Sequence, residues 1–188
     1  MEKVRVILWG LGAMGSGIAK ALLKRSNVDI VGVLKVTETH RGETLSSVIG
    51  AGQSDVRIST DPDAVLKPGA ADIVIISTAS FTKTVKPQIE RAVRAGMNVI
   101  TIAEEMAYPA AQSPAAACEL DRLAKEYGVT ILGTGINPGF VLDSLIIALT
   151  GVCLDVQEIH ATRVNDLSAF GQMVMRTQGV GTTPEEFQ

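Results

Sequence analysis

Residues 4–17 read VRVILWGLGAMGSG, and this stretch restricts the fold more than any other. An apolar run from Val4 to Trp9 stops at Gly10, GLGAMG spans Gly10 to Gly15, and a helix-like pattern follows. A strand that ends in a glycine turn and continues as a helix is how dinucleotide-binding α/β domains hold a pyrophosphate. In that reading Gly10 makes the tight turn and Gly12 lets the backbone approach the phosphates. Gly15 lets the helix pack closely on the strand. Leu11, Ala13 and Met14 complete the cofactor-binding turn, and the helix's free N–H groups and positive end face the anion. Glycine turns of this spacing also occur without a ligand. The position directly after a strand and before a helix is what favours a nucleotide.

The chain repeats that rhythm. Met14, Ile18, Ala21 and Leu22 share a helical face, so a helix runs to about Lys24 before Asn27 breaks it. Val28 to Leu34 is mostly apolar, as suits a strand buried on both sides of a parallel sheet. A short helix is expected near Leu45 to Ile49, and a short strand at Val56 to Ile58. Asp61-Pro62 is a helix start. Asp72 to Ser77 and Asn98 to Ala103 are further buried strands, with a helix between them on Val85, Ile89, Ala92 and Val93 that Gly96 stops. A helix from Ala115 to Tyr127 has Ala116, Leu120, Leu123, Ala124 and Tyr127 on one face, ends at Gly128, and leads into a strand from Val129 to Leu132. Strands alternating with helices give a Rossmann-type, doubly wound parallel sheet over residues 1–150.

In such sheets the ligand lies at the carboxyl ends of the strands. At the end of the second strand, an acid about 20 residues after the glycines would bind the ribose 2′-hydroxyl of NAD. Lys35 stands there instead, and with Thr37 and Arg41 it can receive a 2′-phosphate, which favours NADP or use of both cofactors. Two alternatives stay open: Lys35 and Arg41 as solvated loop charges, or Glu38 swinging in to restore NAD. After the next strand, Thr78, Ala79 and Ser80 either contact the nicotinamide ribose or cap a helix.

Glu104 and Glu105 follow the fifth strand. Adjacent carboxylates there are unfavourable unless one is exposed or protonated. One reading is a general base or amine anchor beside the nicotinamide, its pKa raised by burial. The other is one capping and one solvated glutamate. The run GTGINPGF, Gly133 to Phe140, constrains a turn in which Asn137 holds a nicotinamide carboxamide or a substrate group, or is purely structural. Phe140 to Leu149 is an almost wholly apolar helix that should be buried, Asp143 being its only charge.

From Val156 the period becomes two, which predicts a strand with two different faces opening a second, α+β domain over residues 151–188. His160 either sits on that polar face near the substrate or serves only as surface or core packing, and Arg163, Asn165 and Asp166 make a polar cluster. Ser168 to Gln188 is polar. Its end reads as a helix start, with Thr183 as cap, Pro184 in the first turn and Glu186 closing a capping box. A chain that stops as a helix begins reads as the first part of a longer protein.

The 188 residues carry a formal net charge of −3 and no basic run, which disfavours nucleic acid or an anionic membrane as partner. No apolar stretch reaches membrane-spanning length, and Met1-Glu2-Lys3 leads into the strand without a signal-peptide pattern, which points to the cytoplasm. Cys118 and Cys153 lack metal-ligand spacing and read as reduced structural thiols, and neither His40 nor His160 belongs to a ligand cluster, so no metal is expected.

Taken together, GLGAMGSGIAK, TIAEEMAYP, GTGINPGFVLD and RTQGVGTTPEEF resemble the 2,4-diaminopentanoate dehydrogenase family, one of the dihydrodipicolinate-reductase-like dehydrogenases. GTGINPGF and TTPEEF are far more specific than the glycine motif. The resemblance implies an NAD(P)-dependent oxidative deamination that gives 2-amino-4-oxopentanoate and ammonia, in ornithine fermentation. It also implies a homodimer and a C-terminal substrate domain. It puts Gly10, Gly12 and Gly15 at the pyrophosphate, Glu104 and Glu105 near the reacting amine, Asn137 and Gly139 near the nicotinamide, and Arg163 and Asn165 toward the substrate. A dihydrodipicolinate reductase proper expects paired histidines and a lysine where this chain reads AEEMAYPAAQ. The rivals are that enzyme, a homoserine-type dehydrogenase, or a non-catalytic NAD(P)-sensing module.

Overall fold

Alternation along the first strand sets the layers. In β1 (Val4–Trp9), Ile7 and Trp9 go to one core and Val6 and Leu8 to the other, and all four are at most 4% exposed. A strand buried on both faces needs a helical layer on each side. The computed structural model, which describes residues 3–168, 175–176 and 178–187, has that arrangement. The chain divides into two compact units, Met1–Gly151 and Val152–Gln188.

In the first unit β1 is joined by β2 (Val28–Leu34), β3 (Ile58–Ser59), β4 (Ile73–Ile76), β5 (Asn98–Thr101) and β6 (Ile131–Gly133). All pairings are parallel and the order is β3-β2-β1-β4-β5-β6, the doubly wound Rossmann arrangement, whose direction of winding reverses between β1 and β4. One core packs Trp9, Val74, Ile76 and Val99 against α4 (Thr82–Arg94) and α6 (Pro114–Tyr127) through Val85, Ile89, Val93, Leu120 and Leu123. The other packs Leu8, Val33 and Ile75 against Ala19 of α1 (Ala13–Leu22) and against Leu45 and Ile49 of α2 (Leu45–Ile49). Asp61 caps α3 (Pro62–Val65), its carboxylate accepting the N–H groups of Asp63 and Ala64. At the amino-terminal edge the Asn98 side chain donates to the Asp72 carbonyl and accepts from the Thr130 N–H, linking the strands on either side of it. Lys86 joins α4 to α6 through Glu119, 2.8 Å away, and also pairs with Glu90; its ammonium is held above the usual lysine range, chiefly by Glu119.

Several expectations change. Helix α1 buries Gly15 and Ala19 with Ile18 and Leu22 beside them, whereas Met14 is 60% exposed and Ala21 is exposed. The helix lies so close to the glycine turn that its contact face centres on its smallest residue. Strand β2 is buried on both faces only in its second half; Ile30 is buried, but Asp29 and Val31 are exposed, and Asp29 pairs with Lys3 at 2.8 Å. The short strand falls at Ile58–Ser59, with Arg57 bridging to Thr44. Tyr127 is exposed, as are both cysteines, which are free thiols rather than packed ones.

The largest departure is at Phe140 to Leu149. It forms a π-turn, Phe140–Ser144, followed by α7 (Leu145–Thr150), and it is not buried: Ile147 is 72% and Leu149 66% exposed. No described element of the first unit covers that apolar face.

In the second unit, residues 155–167 carry no strand, although their polarity alternates. A strand needs a neighbour to pair with, and none is found among the described residues. The capping box does form: Thr183 Oγ1 accepts the Glu186 N–H and the Glu186 carboxylate accepts the Thr183 N–H, at the start of a helical turn, Pro184–Phe187. The part of the polar tail at 169–174, with residues 177 and 188, lies outside the described residues. No helix among the described residues is long and apolar enough to cross a membrane.

Candidate active site

The glycine turn stands where the winding of the sheet reverses. Gly10 has φ +110°, a conformation that favours glycine, and a Cβ there would lie 2.6 Å from the Ser77 carbonyl oxygen. Its N–H donates to the Leu34 carbonyl at 2.8 Å. The Ser77 N–H donates to the Trp9 carbonyl, and the Ser77 hydroxyl donates to the Gly10 carbonyl at 3.1 Å. A Cβ on Gly15 would strike that same Gly10 carbonyl, so Gly15 lets the helix seat on the turn. Gly12 is the N-cap of α1, exposed, and a Cβ there would meet nothing within 4 Å. The space over the helix N-terminus is open, and no acidic side chain occupies the first turn of α1. Ala13 and Met14 border that space, while the Leu11 side chain is in the core and leaves only its backbone to a ligand. These residues fit a pyrophosphate.

At the end of β2, Lys35 is half-buried and its N–H donates to the Ser59 carbonyl. Glu38 is occupied: it accepts from the Thr60 hydroxyl at 2.8 Å and pairs with Arg41 at 3.0 Å. The Thr60 hydrogen bond, then Arg41, holds its carboxyl below the usual range. The cation at Arg41 and the carboxylate at Glu38 therefore offset each other, and Lys35 forms no ion pair among the described residues.

Past β4, the half-buried Thr78 donates its hydroxyl to the Gln88 side chain at 2.6 Å, and Ala79 packs against the core. The Ser80 carbonyl accepts the Glu105 N–H at 3.2 Å. Glu104 and Glu105 lie in a 3₁₀ turn, Glu104–Ala107, at the end of β5. Glu104 is exposed and Glu105 half-buried, so the burial invoked in one of the two readings is absent at Glu104 and partial at Glu105; the turn projects them off the end of the sheet. The Glu105 carboxylate accepts the Thr82 N–H at 2.7 Å.

Both glutamates line a cavity of about 550 Å³ with Tyr108, Gln112, Thr134, Pro138, Gly139, Asp143 and Ser144. Gly133 belongs to its wall: a Cβ there would strike the Met106 carbonyl, so β6 closes on the 3₁₀ turn only as glycine. The Asn137-Pro138 peptide is cis, Asn137 is half-buried beside the cavity's Pro138, and Gly139 has φ +125°. The Gly139 N–H donates to the Asp143 carboxylate at 2.7 Å, and the Ser144 hydroxyl donates to the Gly139 carbonyl. The cavity thus presents three carboxylates and no basic side chain among its described lining residues. Asp143, Tyr108 and Gln112 are additions to the residues singled out by sequence. Asp143 had a signal, as the lone charge of an apolar run four residues after Gly139.

In the second unit His160 is 83% exposed and pairs with Glu158 at 2.9 Å. The Arg163 guanidinium donates to the Asn165 side chain at 2.9 Å. Asp166 accepts from Ser168, chiefly through its backbone N–H, which holds the Asp166 carboxyl low.

Two family models match parts of the chain. The dihydrodipicolinate reductase N-terminus matches residues 4–103, and the 2,4-diaminopentanoate dehydrogenase C-terminal domain matches residues 140–188. A 2,4-diaminopentanoate dehydrogenase of Acetoanaerobium sticklandii is 50% identical over 190 residues, covering 100% of this chain and 53% of that protein. This chain belongs to the 2,4-diaminopentanoate dehydrogenase family. Among solved structures, an amine dehydrogenase from Mycobacterium smegmatis matches with a TM-score of 0.83 and 32% identity, over 98% of this chain and 54% of that one. GenD2 from gentamicin A biosynthesis, in complex with NAD, matches with a TM-score of 0.55 and 26% identity over 71% of this chain and 34% of that one. The chain spans about half the length of the family relatives it matches. A nicotinamide dinucleotide is the cofactor that suits both the family and the glycine turn.

Proposed function

We propose that this chain carries the cofactor half of an NAD(P)-dependent amine dehydrogenase that oxidatively deaminates 2,4-diaminopentanoate to 2-amino-4-oxopentanoate and ammonia. The observation that carries the reading is the cavity at the carboxyl ends of β5 and β6, which faces its occupant with Glu104, Glu105 and Asp143 and with no cation among its described lining residues. Such a lining selects an ammonium-bearing ligand over an anionic one. The family match and the amine dehydrogenase neighbour support the same substrate class.

The first part of the reaction is a proton transfer. Glu104, exposed into the cavity, takes a proton from the C4 ammonium so that the nitrogen lone pair can assist departure of the C4 hydride. Gly10, Gly12 and Gly15 hold the dinucleotide, and Thr78, Ala79, Ser80, Asn137 and Gly139 are its nicotinamide-side contacts. The nicotinamide, when bound, accepts the hydride. Water then adds to the imine carbon and ammonia leaves, with Glu104 positioned to take and return the proton. The substrate carboxylate calls for a cation, a role for which the family resemblance offers Arg163, with Asn165.

Lys35 leaves room for a 2′-phosphate, so NADP is accepted, with NAD as the alternative if Glu38 leaves Thr60. The working protein is a cytoplasmic homodimer on the same family reading. The test is reduction of NAD and of NADP, in parallel at alkaline pH, by 2,4-diaminopentanoate and by homoserine, in the polypeptide carrying these residues. One ammonia per reduced nicotinamide from the diamine supports the proposal. Reduction by homoserine alone overturns it in favour of the hydroxyl-oxidising rival, and binding without any turnover favours the sensing module.

A further inference from the structure

Glu104 and Glu105 are neighbours in sequence, yet the structure uses them differently. Glu105 makes two hydrogen bonds of opposite sense to one segment 23 to 25 residues earlier. Its N–H donates to the Ser80 carbonyl at 3.2 Å, and its carboxylate accepts the Thr82 N–H at 2.7 Å. Thr82 is the first residue of α4, so its N–H is one of those an α-helix leaves unpaired. The N-cap residue is Phe81, which has no side-chain acceptor, and no N-cap hydrogen bond forms locally. Glu105 therefore supplies from the β5 side the cap that the sequence around α4 lacks. Its negative charge also sits at the positive end of a 13-residue helix.

This bracket fixes two things at once. It ties the 3₁₀ turn that presents Glu104 to the loop Thr78–Ser80, and it anchors that loop to a helix whose first residue, Thr82, is fully buried. One Glu105 oxygen is already committed to an N–H, whereas no hydrogen bond holds the Glu104 carboxylate among the described residues.

On the proposed amine-dehydrogenase reading, we infer that Glu105 is a positioning residue: it holds the Glu104 turn and the nicotinamide-side loop in register and carries no proton in the reaction. What it contributes to Thr82 is an acceptor oxygen, which a glutamine amide also provides.

Three variants separate the roles: Glu104→Gln, Glu105→Gln and Glu105→Ala. Each is made in the polypeptide carrying these residues and measured for kcat, KM, the pH–rate profile and cofactor affinity. Affinity is read by energy transfer from Trp9, the single tryptophan of these 188 residues, to a reduced nicotinamide. Glu105→Gln removes one of the cavity's three charges and is expected to raise KM for the diamine about threefold to tenfold, to lower kcat by less than about tenfold and to leave the pH–rate profile unmoved. Glu105→Ala is expected to weaken cofactor binding and lower kcat, each by about tenfold, as loss of a charge-assisted hydrogen bond implies. Glu105→Gln that binds cofactor normally but is as inactive as Glu104→Gln overturns the inference, because it would make Glu105 a proton carrier. Glu105→Ala with unchanged affinity also overturns it. A wild type that binds cofactor and oxidises no amine removes the functional reading instead, and the affinity of Glu105→Ala still decides the role of Glu105.

Discussion

The Ser77 hydroxyl donates to the Gly10 carbonyl at 3.1 Å, so the ends of β1 and β4, 67 residues apart, are fastened together at the point where the winding of the sheet reverses. That bond leaves no slack in the glycine turn, and it sets what the neighbouring glycines tolerate.

A Cβ at Gly15 would press on the Gly10 carbonyl and come within 2.8 Å of the Ser77 hydroxyl oxygen. Gly15→Ala should lower stability by about 1–3 kcal/mol, the usual range for overpacking, and weaken cofactor binding because the turn must shift. Gly17, on the exposed side of the same helix, has nothing within 4 Å. Gly17→Ala should raise stability by about 0.5–1 kcal/mol through helix entropy alone. Urea denaturation with Trp9 as reporter checks both.

The rim at β2 predicts how cofactor choice responds to charge. Removing Lys35 takes away a cation with no carboxylate partner among the described residues, so Lys35→Ala should cost about fivefold to tenfold in affinity for NADP and little for NAD. Glu38→Gln should shift preference toward NADP, since it removes the anion that offsets Arg41. Paired titrations with the two oxidised cofactors measure both ratios.

Glu104→Gln should reduce turnover by about 10²–10⁴-fold, the usual weight of a general base, with cofactor affinity within about twofold. Wild-type activity should rise toward alkaline pH, because the ammonium of the substrate must lose its proton. Steady-state kinetics with an independent binding measurement separates these effects.

Acid stability has a specific source at the opposite edge of the sheet. The Asp72 carboxylate accepts both the Arg5 backbone N–H and its guanidinium, at 2.7 and 2.6 Å, and these bonds hold Asp72 below its ordinary value of 3.8. A carboxyl lowered in the folded state stabilises the protein above its unfolded pKa. That contribution should fade below pH 3.8, as pH falls through the lower folded-state value. Asp72→Asn should flatten the pH dependence of thermal unfolding in this window.

Much of the fold was legible because its signals are local. The glycine turn, the Asp61 cap, the Gly96 and Gly128 stops and the Thr183–Glu186 capping box each depend on a few neighbouring residues. Burial was harder to read. Met14 is on the apolar face by period, yet Gly15 draws the helix in and turns Met14 outward. The apolar run Phe140 to Leu149 reads as core, but composition does not say which element covers it. The alternation after Val156 reads as a strand, but pairing is a long-range property. At the candidate site, Glu104 and Glu105 stand out by their place after a strand, and Gly139 by the family resemblance. Asp143 joins them through a loop closure that spacing alone does not specify, and the division of labour within the glutamate pair rests on Thr82, 23 residues away.

The central claim is that hydride passes from C4 of an ammonium-bearing substrate to a nicotinamide held at the glycine turn. The most direct measurement uses 2,4-diaminopentanoate carrying deuterium at C4, with NAD and NADP, and follows the label by mass spectrometry. The account predicts one deuterium in each reduced nicotinamide and one ammonia released with it. Reduced nicotinamide without the label, or no reduction by protein that demonstrably binds cofactor, would contradict it.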